Sequence, residues 1–138
     1  MGSITPTEEQ YNNLMAMDDA EGPVMMINML RFHDQADYSD HPEQAACTGK
    51  EAYDRYGEAV FPILADLGAK PVWMSDVANT FIAPEGEDWD QFIIVQWDTV
   101  GALKALMANE EYHKIAFHRD AAASDTRLII AHSRFADF

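Results

Sequence analysis

Three segments of this chain carry apolar side chains at consecutive positions: 24–32 (VMMINMLRF), 91–97 (QFIIVQW) and 126–133 (TRLIIAHS). A β-strand turns successive side chains to opposite faces. In the first segment Val24, Met26, Leu30 and Phe32 therefore share one face, and Met25, Ile27 and Met29 share the other. An antiparallel sheet with one wet face alternates apolar and polar residues along each strand. These strands do not alternate, so both faces of the sheet they form must be covered.

The stretches between the strands read as helices and turns. Thr5-Pro6-Thr7-Glu8 opens an N-terminal helix, with Thr5 as N-cap, Pro6 at the first helical position and Glu8 closing a capping box, running to about Met17. A polar loop, 33–47, leads to a second capping box, Thr48 with Glu51. The helix after it places Tyr53, Tyr56, Val60, Ile63, Leu64 and Leu67 on one face, with Gly68 as its C-terminal cap. Residues 71–75 and 77–83 read as strand material and 84–90 as an acidic turn. Thr99 caps a helix through Met107, and Asn109 caps another that extends to Asp125. The order, after a helical extension over 1–22, is the split β-α-β-β-α-β arrangement over 23–138: an α+β, ferredoxin-like antiparallel sheet with helices on one face. Only the short N-terminal helix remains for the second face. The economical cover is another copy of the chain, a homodimer through the sheet face.

Composition narrows the function. The chain has 138 residues, one domain's worth, and 48% of them are hydrophobic, which excludes general disorder. A formal charge of −15, from 24 acidic against 9 basic side chains, repels nucleic acid and anionic membranes. No apolar run is long enough to span a bilayer, and residues 1–6 lack the features of a signal peptide, so a cytoplasmic location is expected. Cys47 is alone and can form no internal disulfide.

The candidate site rests on polar groups among apolar ones. On the 109–125 helix Tyr112, Ile115, Arg119 and Ala122 or Ala123 form the inward stripe, which turns Arg119 toward the apolar side. A guanidinium there needs an anion, a carboxylate or several carbonyls. Two readings stay open: an anchor for an acidic ligand, with the Tyr112 phenol beside it, or a structural ion pair. Asn28 sits in mid-strand, where its amide must find partners, either a ligand carbonyl or a neighbouring loop. Tyr53, Tyr56, Trp73 and Trp97 could line an aromatic pocket or simply pack the core. Tyr112 and His113 are the candidate proton carriers, His113 having an exposed surface position as its alternative. His33, Asp34, Asp37, Asp40 and His41 match no metal-ligand spacing, and no metal or cofactor is expected. The chain has no glycine-rich phosphate loop, no G-x-S-x-G and no H-E-x-x-H.

The stretch MMINMLRF at 25–32, GKEAYDRYG at 49–57, and NEEY at 109–112 followed by Arg119 and AASD at 122–125 are similar to the domain-of-unknown-function family numbered 1330. The resemblance covers roughly residues 23 to 133. It implies a dimeric α+β barrel, in which two ferredoxin-like sheets pack together, and it brings no assigned reaction. Together these readings describe a dimeric small-molecule-binding protein, or a cofactor-independent enzyme acting on a small carbonyl or aromatic acid. The alternative is a non-catalytic or structural dimer with Arg119 in an ion pair.

Overall fold

The computed structural model describes residues 2–137. Its elements are α1 (Glu8–Met15), β1 (Val24–Phe32), α2 (Gly49–Asp66), β2 (Lys70–Met74), β3 (Gln91–Trp97), α3 (Val100–Met107), α4 (Glu110–Ile115), α5 (Phe117–Ala122) and β4 (Ala123–Ala131). The four strands form one antiparallel sheet in the order β2-β3-β1-β4. The fold is α+β and ferredoxin-like, as the strand and helix order implies.

Strand parity decides what each residue faces. Val24, Met26, Asn28 and Leu30 of β1, with Gln91, Ile93, Val95 and Trp97 of β3, are buried beneath the helices. Trp97, Leu30, Leu103, Val24 and Val100 are the largest side chains with almost no exposed surface. Each aliphatic side chain removed from water in this way contributes roughly 1.5–3 kcal/mol before conformational entropy is counted. On the opposite face the register sets Trp73 beside Ile94, Ile94 beside Ile27, and Ile27 beside Ile129. An apolar row therefore crosses all four strands. Trp73 and Ile129 keep 44% and 50% of their surface exposed, so this row has no helical cover. Residues 132–136 run along one side of it and enclose a shallow hollow of about 320 Å³ with Met25, Ile27 and Ile94.

Local chemistry explains the helix starts. Thr48 Oγ1 accepts from the Glu51 backbone N–H at 3.1 Å, and the Glu51 carboxylate accepts from the Thr48 N–H at 3.0 Å. Hydrogen bonding from the Thr48 backbone, then from its side chain, holds the Glu51 carboxyl below its ordinary pKa. Gly49, the next residue, has no room for a side chain: a Cβ there would lie 2.3 Å from the His33 carbonyl oxygen and 2.7 Å from that of Ala122. The turn after α2 needs Gly68, whose φ is +77°.

Three local expectations are corrected. The N-terminal helix is capped by Thr7, not Thr5, and its box is closed by Gln10, not Glu8. The pattern of a hydroxyl followed three residues later by a long polar side chain recurs two positions on, and Pro6 stands outside the helix. Residues 77–83 form no strand. The ladder with the start of β3 continues only through Ser75 and Val77, and the chain then leaves the sheet, with Phe81 and Ile82 each 87% exposed. The single helix over 109–125 is two helices that break at Ala116, and β4 begins at Ala123 rather than Thr126. The cause is non-local. The carbonyls of Ala121 and Ala122 accept from the N–H groups of Asp37 and His33, and Ala123 pairs with Phe32.

The N-terminal segment is tied to the sheet and to α3. The Thr126 N–H donates to the Ser3 carbonyl, the Ser3 N–H donates to Asp125 Oδ1, and Lys104 Nζ donates to the carbonyls of Met15 and Met17. Among the described residues no helix is long and apolar enough to cross a membrane.

Candidate functional site

Between α2 and the covered face of the sheet lies a cleft of about 360 Å³. Its floor is Met26 and Asn28 of β1 with Gln91, Ile93 and Val95 of β3, and Leu106 of α3 also lines it. Tyr53, Tyr56, Val60 and Leu64 of α2 form the opposite wall, and Asp54, Glu58 and Phe61 stand on the exposed side of that helix. Met74 and Pro71 of β2 close one flank. The volume is within the small end of ordinary ligand pockets, roughly 300–1,000 Å³.

Two amides form its polar floor. Asn28 is 6% exposed and Gln91 is 8% exposed. Asn28 pairs with Ile93 and Gln91 pairs with Leu30, so the two amides are diagonal neighbours on adjacent strands. Asn28 Nδ2 donates two long bonds, 3.5 Å to the Met26 carbonyl and 3.4 Å to the Ile93 carbonyl. This fixes the sense of the amide, because the flipped orientation would set one carbonyl oxygen against two others. Asn28 Oδ1 is left without a donor, and the Gln91 side chain makes no hydrogen bond among the described residues. Buried amides ordinarily find partners. Here both border the cleft with acceptor capacity unspent.

The opposite wall is a run of phenols. Tyr53 and Tyr56 stack obliquely with ring centroids 5.3 Å apart, and the Tyr56 and Tyr112 hydroxyls are 3.1 Å apart. Burial pushes the Tyr53 hydroxyl up to about 12, against a smaller pull from the Arg119 charge. Burial raises Tyr56 as well, with Tyr112 and Tyr53 adding to the effect and Arg119 opposing it. Both phenols keep their protons at neutral pH and serve as hydrogen-bonding groups, not as bases.

Of the residues chosen from the sequence, Asn28, Tyr53 and Tyr56 meet at this cleft. The other five lie elsewhere. Tyr112 touches it only through Tyr56. Trp73 is on the far face of the sheet. Trp97 is fully buried in the core, its Nε1 without a partner among the described residues. Arg119 is half-buried, and its Nη1 donates to the Ile4 carbonyl at 2.9 Å. No carboxylate lies within ion-pair distance of Arg119 among the described residues, and its partner is a backbone carbonyl of the N-terminal segment. His113 Nε2 lies 2.7 Å from the Met107 carbonyl, away from the cleft, and holds α4 to the end of α3.

Gln91 escaped the sequence reading, although a signal was present. It shares strand parity with Ile93, Val95 and Trp97, which makes it a polar residue on an inward face, as Asn28 is. Tyr38 was missed for another reason, since nothing in a polar loop announces a buried phenol. Its hydroxyl lies 2.7 Å from His118 Nδ1, and its ring lies under the Arg55 guanidinium, 5.5 Å from centroid to Cζ. His33, Asp34, Asp37, Asp40 and His41 do not converge. No group of three metal-capable side chains is gathered among the described residues.

A cleft between the helices and sheet of a split β-α-β-β-α-β domain defines a ferredoxin-like α+β protein with a cleft beneath its helices. The model of the DUF1330 family, described as a domain of unknown function, matches residues 43–133, and the chain belongs to that family. The crystal structure of RPA0582, a protein of unknown function from Rhodopseudomonas palustris, is 34% identical to it, covering 99% of this chain and 100% of that one, with a TM-score of 0.88. A protein from Bacteroides fragilis, described as dimeric, of unknown function and ferredoxin-like, matches at 12% identity and a TM-score of 0.54 over 82% of this chain and 98% of that one. At3g17210 from Arabidopsis thaliana matches at 12% identity and a TM-score of 0.53, covering 84% of this chain and 100% of that one. No curated protein matches the chain.

Proposed function

We propose that this protein is a homodimeric small-molecule-binding protein whose ligand occupies the cleft between α2 and the sheet. One observation carries the reading: two side-chain amides, Asn28 and Gln91, are more than nine-tenths buried at the floor of a 360 Å³ cleft with hydrogen-bonding capacity unspent. Their free polar atoms open to the cleft, so a ligand can meet both amides in place of water, while Met26, Ile93, Val95 and Leu106 supply apolar contact. The protonated state of Tyr53 and Tyr56 favours binding over proton abstraction within the cleft.

Catalysis on a carbonyl needs a proton carrier at the ligand, and neither Tyr112 nor His113 borders the cleft. Dimerisation is proposed through the open sheet face, supported by the apolar row Trp73–Ile94–Ile27–Ile129 and by the dimeric description of the Bacteroides fragilis protein.

The test is a thermal-shift screen of small apolar compounds bearing one polar head, run on wild type and on Asn28→Leu. A ligand bound to the native state raises the melting temperature by mass action. Hits that stabilise wild type and lose their effect in Asn28→Leu are expected. Hits that stabilise both proteins equally would place the site elsewhere.

A further inference from the structure

The charge around the cleft and the orientation of Asn28 narrow the ligand class. This inference rests on the cleft being the binding site. No lysine, arginine or histidine lines it, whereas Asp54 and Glu58 do. These two acids are four residues apart on α2 and share a helix face. The floor presents an acceptor: Asn28 Nδ2 is turned to the Met26 and Ile93 carbonyls, so Oδ1 is the atom left to meet a ligand. Gln91 can rotate to offer its own oxygen. Tyr53, Tyr56 and Phe61 add aromatic surface, whose faces attract cations. Arg119, whose charge reaches the two phenols, holds the Ile4 carbonyl and does not line the cleft. The net charge of −15 concentrates cations around the whole molecule.

We infer that the cleft selects a small amine, an apolar body carrying a hydrogen-bond-donating, positively charged head, and excludes carboxylates of the same shape. The amine N–H groups meet the oxygens of Asn28 and Gln91, and Asp54 and Glu58 at the α2 side supply the compensating charge. A carboxylate would set its oxygens against Asn28 Oδ1 and would enter a field of its own sign.

Three probes with one ring separate the possibilities: benzylamine, benzyl alcohol and benzoate, titrated calorimetrically into the full chain. Benzylamine is expected to bind at least about tenfold more tightly than benzyl alcohol, reflecting charge-assisted hydrogen bonding, with benzoate weakest. Added salt should weaken the amine and leave the alcohol nearly unchanged. The double variant Asp54→Asn with Glu58→Gln should bring the amine down toward the alcohol. Asn28→Leu and Gln91→Leu should each weaken both, in protein whose far-ultraviolet circular dichroism matches wild type. Benzoate binding as tightly as benzylamine, with sensitivity to Asn28→Leu, overturns the amine assignment and keeps the cleft. Failure of all three probes to bind at millimolar concentration, or binding that neither floor variant alters, overturns the cleft reading itself.

Discussion

Arg119 illustrates how one side chain can be placed by its neighbours while its partner stays open until the tertiary structure is seen. Its position on a helix facing the sheet called for an anion, a carboxylate or several carbonyls as companion. The structure supplies the Ile4 carbonyl, 2.9 Å from Nη1 and 115 positions away in the chain. The guanidinium therefore pins the segment before α1 against α5, close to where Ser3 pairs with Thr126. Arg119→Met should cost about 1 kcal/mol, the size of one hydrogen bond to a partly exposed charge, and not the larger penalty of a stranded buried carboxylate. It should leave ligand binding in the cleft intact, since Arg119 does not line it. Urea denaturation measures the first and the thermal response to a screening hit measures the second. A loss above about 3 kcal/mol would restore a structural ion pair, and a lost ligand response would restore the anion anchor. Asn28 shows the opposite case: its inward position is legible from sequence alone, because parity fixes its face whatever the tertiary detail. The same parity rule, applied to Gln91, would have found the second amide.

At the scale of elements, the segments whose signals are local were legible. The boundaries of β1 and β3 and the Thr48 and Thr99 caps follow from strand periodicity and from hydroxyls placed to meet N-terminal N–H groups. The run 109–125 was not legible, because alanines at 121–123 favour a helix until a loop claims their carbonyls. That loop, 33–47, is held on α5 by the Asp37 N–H on the Ala121 carbonyl and by Tyr38 on His118. His118 titrates below its ordinary value of 6.5, chiefly because burial disfavours its charged form, with Arg55 and His41 adding repulsion. The unfolded chain therefore binds the proton more readily. The stability contributed by neutral His118 is complete above about pH 6.5 and is lost as pH falls through the lower folded value. In the tautomer protonated at Nε2, Nδ1 accepts from the Tyr38 hydroxyl, and protonation turns it into a donor. Hydrogen exchange at Ala36 and Asp37, corrected for intrinsic rates, should show weaker protection at about pH 5 than at about pH 7.5. His118→Gln should flatten that difference. Equal protection at both pH values in wild type would detach the loop from the titration of His118.

For the whole molecule, the two apolar faces of the strands have unequal fates. One is covered by α2, α3, α4 and α5, and the other shows the row Trp73, Ile94, Ile27 and Ile129 to the surroundings. Met25 and Ala131 lie on one side of this row with Gln96, and Met29 and Phe92 on the other with Arg127, so polar side chains flank the apolar row at its edges. Monomers rarely expose a contiguous apolar patch of more than a few hundred Å². A stable interface needs about 800 Å² from each partner, a scale that a four-stranded sheet face can supply. A second copy brings a face of the same chemistry, and sheets packed face to face lie about 10 Å apart, close enough for these side chains to interdigitate. The strong negative charge opposes association, and salt should therefore strengthen the proposed dimer. Light scattering at micromolar concentration should give about twice the chain mass of 15.5 kDa. Ile94→Asp places a charge in the middle of the row, beside both Trp73 and Ile27, and should shift the protein to the single-chain mass while preserving its helical circular dichroism. Wild type at the single-chain mass would leave the open face without its proposed partner, and a dimer that survives Ile94→Asp would move the interface to another surface. The cleft opens on the other side of the sheet from this row, so ligand binding by Asn28 and Gln91 should persist in the monomeric variant at reduced stability, separating assembly from recognition.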